Sequence, residues 1–266
     1  MQSLYVSNSG VSNTSVSALG SSVTVYFNPP IKLDTKKKYQ IRCLSAAIVY
    51  CTPNISATKR NNILSYSKGG TNYTITFADG LYALQDINTV ISLSTFSQVN
   101  DSNLIQFYPN EATSSIYVYF DQANISINCG ATNSIMQILG YPASTGVIGN
   151  FSGSGYCEGT QPANLNSLQN ILISSDISTG SYLNSQNSSI IGSVIPNCVP
   201  NATIIYAPYH PLRCPLINID KIEQMTITLT DQNNTPLDTG TSNGTLAPQL
   251  FSILMDISPI EMANLL

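Results

Sequence analysis

Charge is what this chain of 266 residues has least of: Asp, Glu, Lys and Arg make up 9% of it, where an ordinary globular protein carries about 25%. Hydrophobic residues hold an ordinary 42%, so Ser, Thr and Asn fill the deficit. A surface so short of charge gains little solubility from it and suits being covered by neighbours. Histidine is nearly absent as well. The one present, His210 in "YAPYHPLRCP", is flanked by prolines and reads as a surface or packing residue. A Ser/His/Asp hydrolase would need a positioned general base, and a metal-holding jelly roll of the cupin kind would need several histidines. No phosphate-loop spacing occurs, and the glycines of "GSGYCEG" at 153–159 read as loop flexibility.

Long apolar runs are missing too. Nothing approaches the ~20 residues that cross a bilayer, and "MQSLYVSNSG" lacks the basic start and apolar middle of a secretory signal, so the expected place of folding is a host cytoplasm. The six cysteines form no CxxC pair and no zinc-knuckle spacing. Cys43 and Cys51 lie in one strand-like run, "YQIRCLSAAIVYC", where at ~3.3 Å per residue they would stand roughly 26 Å apart. Six unpaired thiols, no metal and no cofactor are therefore expected.

The basic residues are unevenly placed. Eight of the ten lie at or before Lys68, and from Gly69 to Leu212 there is no Lys or Arg while seven acids occur. That middle section cannot form a nucleic-acid groove, which excludes sequence-specific nucleic-acid binding there. The one basic cluster is in "KLDTKKKYQIR". Three adjacent lysines before a strand are more often a solvated end, but Lys36, Lys37 and Lys38 are the candidate contact with a packaged genome or an inner face.

What is abundant is strand signal. Val, Ile, Thr, Tyr and Phe dominate "VTVYF" (23–27), "YQIRCLSAAIVYC" (39–51), "YTITF" (73–77), "LIQFY" (104–108), "SIYVYF" (115–120) and "ISINC" (125–129). They dominate again in "NILISSDI" (170–177), "TIIYA" (203–207), "MTITLT" (225–230) and "FSILMDI" (251–257). Turn residues separate these runs, so the expected fold is all-β, a sandwich or barrel rather than βαβ units. Two short helices interrupt it. In "DGLYALQDINTVISLS", Asp79 is placed to cap a helix with Leu81, Leu84, Ile87 and Ile91 on one face, covering an edge or open end. In "SIMQILGYP", Ser134 and Gln137 make a capping box of about two turns, stopped by Gly140 and Pro142.

Residues 1–22 are polar and aperiodic and are expected as a flexible arm before one domain at 23–266. The glycine- and serine-rich stretch at about 143–169 is expected as an insertion outside the core. Counted from Asp231 in "TDQNNTPLD", Pro236 and, beyond that segment, Ser242 stand where a calcium loop needs Gly and Glu, so it reads as a turn. Asp79, Asp86, Asp176 and Glu158 are the carboxylates a glycoside-hydrolase pair would draw on, but their spacing does not recommend it. The chain is read as not an enzyme.

The order of "PPIKLDTKKKYQIRCLSAAIVYCTPNIS", "NNILSYS", "DGLYALQDINTVI", "ILGYP", "ILISSDISTGSYLN", "ITLTDQNNTPLD" and "FSILMDI" resembles the penton (vertex, minor capsid) proteins of virophages and Polinton-type elements. The resemblance runs from about Val23 to Ile257 and rests on order and spacing rather than on one motif. It implies a single jelly-roll β-sandwich in the lineage of adenoviruses and tailless membrane-containing phages, a homopentamer at the icosahedral vertex of a virion, and a neighbouring double jelly-roll major capsid protein. It leaves a vertex fibre open. Two departures stand out, the glycine content between Tyr141 and Gln169 and the long "TGTSNGTLAPQLF" in the last hairpin. The competing reading is a jelly-roll host-attachment or glycan-binding protein, whose aromatics beside Asn and Asp could sit in "GTNYT" or "GSGYCEG".

Overall fold

The computed structural model describes residues 2–8, 13–166, 168–183, 186–199, 202–217, 220–239 and 251–260. The first strands are β1 (Gln2–Ser7), β2 (Thr14–Val16), β3 (Ser22–Lys32) and β4 (Tyr39–Val49). Next come β5 (Ile63–Lys68), β6 (Thr71–Thr76), helix α1 (Leu84–Val99), β7 (Ile105–Asn110), β8 (Ser115–Phe120), β9 (Ile125–Asn128), β10 (Val147–Gly149) and β11 (Gly155–Glu158). The chain continues through β12 (Ile171–Ser175), β13 (Ser181–Leu183), β14 (Gln186–Ser188), β15 (Ile190–Val194), β16 (Thr203–Tyr206), β17 (Cys214–Pro215), β18 (Lys221–Thr230) and β19 (Phe251–Pro259). These strands pair antiparallel, as the all-β expectation requires.

Two compact units are present where one domain was expected: Met1–Thr52 with Leu168–Leu266, and Pro53–Ser167. The expected insertion at 143–169 is thus the end of a much longer excursion between β4 and β12. Its strands are short, but they enclose a core of their own, which includes Leu64, Phe77, Ile87, Phe107, Phe120 and Tyr141.

In the first unit one sheet runs β1-β19-β4-β16, with β17 also on β4, and the other runs β15-β12-β18-β3-β2. Period-two burial sends Ile41, Cys43 and Ile48 of β4 and Met225, Ile227 and Leu229 of β18 into the core. The two inner faces meet at Gly192 of β15, where a Cβ would lie 3.6 Å from Cys43 Cβ and 3.5 Å from the Tyr206 ring. The residues expected as an arm are not separate from this sandwich. Gln2–Ser7 pairs with β19 from Gln2↔Ile257 to Ser7↔Ser252, and Thr14–Val16 pairs with β3. The reason is a short alternation the polar composition hides: Leu4 and Val6 are buried, whereas Gln2, Ser3 and Tyr5 are exposed.

The "TDQNNTPLD" segment is a turn. Asp231 Oδ1 accepts from the amides of Asn233 and Thr235, each at 2.8 Å, Asn234 takes φ 64°, and Thr230 bridges back to Pro236. Most of the long last connection, 240–250, lies outside the described residues.

In the second unit one sheet runs β10-β9-β5-β6 and another runs β11-β8-β7. Helix α1 begins at Leu84, later than expected, and its start is held by Asp86, whose carboxylate accepts from Ala83 N at 2.9 Å. Asp79 instead accepts from Ala57 N at 2.8 Å, so its expected capping role falls to a residue inside the first turn. Ile87 and Ile91 are buried on the expected face. The helix covers sheet edges as anticipated. Asn88 takes the place of a neighbouring strand on β7, donating to Phe107 O and accepting from Phe107 N at 2.8 Å each. Gln98 does the same for β6, donating to Thr74 O at 2.9 Å. The second expected helix is a single 3-10 turn, Ile135–Gln137, with Ser134 accepting from Met136 N at 3.2 Å.

The stretch after Tyr141 does not project. β10 pairs with β9 and β11 with β8, and Phe151 packs on Phe120 with ring centroids 6.0 Å apart. Glycines within it and just before it serve geometry. Gly149 sits at φ 90°, and at Gly140, with φ 91°, a Cβ would lie 2.2 Å from Gln161 O.

All six cysteines are free, with Cys43, Cys129 and Cys214 buried. Burial pushes the Cys43 thiol up to about 12 and the Cys51 and Cys129 thiols up to about 11. At pH 8 a thiol reagent is therefore expected to leave the buried Cys43 and Cys129 unlabelled until the protein is denatured. Absorbance counting should reach six thiols in denaturant without reductant. A lower total would mean that bridges form.

Candidate functional site

The outer face of the β11-β8-β7 sheet holds a grid of side chains. Pairing aligns Tyr108, Tyr117 and Glu158 across the three strands, and beside that row Gln106, Tyr119 and Tyr156. Their strand neighbours Ile105, Phe107, Val118 and Phe120 are buried, so alternation sends the grid outward. The Tyr108 and Tyr117 rings stack at 5.3 Å with 21° between planes, and Tyr156 meets Tyr117 edge-on at 6.1 Å. Tyr156 remains 69% exposed, which makes the face a surface rather than a hidden layer.

At the end of the first row Glu158 is held in place. Its Oε1 accepts from Ser115 Oγ at 2.6 Å, Asn110 Nδ2 at 2.7 Å and Thr113 Oγ1 at 2.9 Å. Hydrogen bonds from Ser115, Thr113 and Asn110 hold this carboxyl below the usual range, so it stays ionised. Oε2 makes no hydrogen bond among the described residues.

Beside the contact of β7 with α1 lies a shallow groove of about 390 Å³, lined by Gln85, Asn88, Thr89, Ser92, Gln106 and Tyr108 among others. The lining is uncharged. A second shallow cleft, of about 380 Å³, lies over β5, β6 and β9 and includes Asn72 and Thr74 of "GTNYT" with Ser67, Ser126 and Asn128.

Lys36, Lys37 and Lys38 are exposed on the turn between β3 and β4 in the other unit. Asp34 builds that turn: its Oδ1 accepts from Lys36 N at 3.0 Å and its Oδ2 lies 3.8 Å from Lys37 Nζ. The same end carries Lys32 and Lys221, paired across β3 and β18. His210 is exposed, its ring edge-on to Tyr209 at 4.6 Å. The four carboxylates weighed for catalysis serve separate local contacts, Asp176 by accepting from Thr226 N at 2.8 Å. The tyrosine grid was missed in the sequence except for "GSGYCEG", which supplies Tyr156 and Glu158. Its signal was the alternation of Tyr117 and Tyr119 in "SIYVYF", readable only once β11 and β7 are known to flank it.

The architecture is that of a mostly β protein with antiparallel sheets, and no helix among the described residues is long and apolar enough to cross a membrane. No protein-family model and no curated protein matches the chain. Among solved structures it is similar to the selenomethionine-labelled mavirus penton protein, at 11% identity and a TM-score of 0.47 over 97% of this chain and 100% of that one. A likeness of that size carries no residue and no contact across.

Proposed function

We propose that this chain is a structural protein of an icosahedral capsid, the penton that closes a five-fold vertex as a ring of five copies. In this reading the first unit is the single jelly roll, and the neighbours are a double jelly-roll major capsid protein. The observation that carries the reading is the exposed apolar surface of a nearly uncharged chain. Between Ile195 and Ile217 six large apolar side chains are exposed: Ile195 (68%), Val199 (71%), Ile205 (77%), Tyr209 (92%), Leu212 and Ile217. Ile205 lies on β16, the edge strand of its sheet. Edge strands and apolar surface are what a monomer hides and what an assembled coat covers. The ordered segments that resemble pentons support the same reading.

Light scattering at high protein concentration is expected to show a pentamer, and particles formed with the major coat protein should carry this chain at their five-fold vertices. Head-to-tail contacts close when the rotation permits. Each contact is expected to bury at least ~1,000 Å² if the ring stands alone. A stable dimer or trimer with no five-fold density from this chain would overturn the proposal.

The uncharged groove beside Tyr108 favours a second reading, a glycan-binding attachment protein, because an aromatic ring among amides and hydroxyls suits a neutral sugar. Retention of the chain on a glycan array, lost on Y108A, would support it.

A further inference from the structure

The tyrosine face has a charge character that the groove beside it lacks. Glu158 closes one row of rings, Asp121 accepts from Tyr119 OH at 3.4 Å at the end of β8, and Glu111 lies in the turn between β7 and β8. No Lys or Arg occurs from Gly69 to Leu212 to neutralise them. A row of π faces ending in a fixed carboxylate is matched by a cation on a flexible stem, which can lie over a ring and place its charge at the oxygen. This chain carries such cations itself. Lys36 and Lys38 are exposed on the β3–β4 turn, and neither ammonium has a carboxylate partner among the described residues.

We propose that the tyrosine face of the 53–167 unit is the docking site for the lysine turn, Lys36–Lys38, of a second copy of this chain. This rests on the reading of the protein as a ring of identical subunits. A head-to-tail ring uses two different patches on each subunit, and a basic turn with an acidic aromatic face makes a complementary pair on one chain. The Glu158 Oε2 atom receives an ammonium group while Oε1 stays anchored to Ser115, Thr113 and Asn110. The tyrosine rings cover the lysine stems. The lysine turn is thereby assigned to the contact between subunits rather than to packaged nucleic acid.

The test is sedimentation equilibrium of the full chain at low and high salt, comparing wild type with E158Q, K36E/K38E and the charge swap K36E/K38E/E158K. E158Q preserves the shape of the side chain and removes its charge, and circular dichroism checks that each variant folds. Self-association of the wild type is expected to weaken with salt. E158Q and K36E/K38E should each weaken it about tenfold or more, and the swap should recover most of the loss, since restored complementarity repairs a charge contact. Pentamers that form equally well in wild type, E158Q and K36E/K38E would overturn the docking and leave the ring intact. A wild-type chain that remains monomeric at millimolar concentration would overturn the docking, whereas the ring itself is judged from the particle images. Association unchanged in every variant, together with a Y156A-sensitive glycan signal, would assign the face to saccharide recognition and overturn the docking as well.

Discussion

Arg42→Ala is expected to destabilise the first unit by about 3–5 kcal/mol, the cost of stranding a buried carboxylate. Arg42 on β4 stands opposite Asp256 on β19, in the middle of the sheet. Its Nε donates to Oδ1 at 2.9 Å and its Nη2 to Oδ2 at 2.6 Å, a two-pronged geometry that only a guanidinium supplies. The Asp256 side chain is wholly buried while that of Arg42 is 20% exposed, so removing the cation leaves the anion without the partner that compensates its burial. Arg42→Lys should recover part of the loss, since one donor cannot serve both oxygens as a fork does. Replacing both residues with apolar side chains of similar volume should cost far less than either single change, because the buried charge goes with its partner. Urea titration of these variants beside the wild type measures this. A loss below about 1 kcal/mol for Arg42→Ala would show that the pair behaves as a solvated one.

Replacing residues 143–166 with a short Gly/Ser linker should abolish cooperative folding of the 53–167 unit. A projecting loop would have left the melting temperature within a few degrees, but the structure puts this stretch into both sheets. The replacement removes β10 and β11 and exposes the edges of β9 and β8. It removes Ile148, Phe151, Cys157 and Leu165, which pack partly buried against the core. It also takes Cys157 O from the buried Tyr141 hydroxyl, which lies 2.8 Å away, and Leu165 O from Asn54 Nδ2, also at 2.8 Å. Burying one large apolar side chain contributes about 1.5–3 kcal/mol. Several lost together rival the whole stability of a domain, about 5–15 kcal/mol. Scanning calorimetry with hydrogen exchange on β7 and β8 reads the outcome. A transition within a few degrees of wild type, with β8 amides still protected, would show that the segment lies outside the core.

Every strand expected from an apolar run formed within a few residues of its place, because the buried faces of β4, β8 and β18 repeat with period two, and that signal is local. The turn at Asp231 was equally legible, since an Asp side chain reaching amides two and four residues on needs no distant partner. What local pattern could not convey was partnership. β1 is six polar-looking residues whose place is set by β19, at the far end of the chain. β10 and β11 are glycine-flanked fragments that become strands because β9 and β8 offer them edges. The division at Pro53–Ser167 and the addition of Tyr156 to the local Tyr108, Tyr117 and Tyr119 hairpin arise the same way, from strand pairing across longer stretches of chain. Composition and alternation decide what each segment can be, but which edge it finds depends on contacts formed only once the chain has folded back on itself.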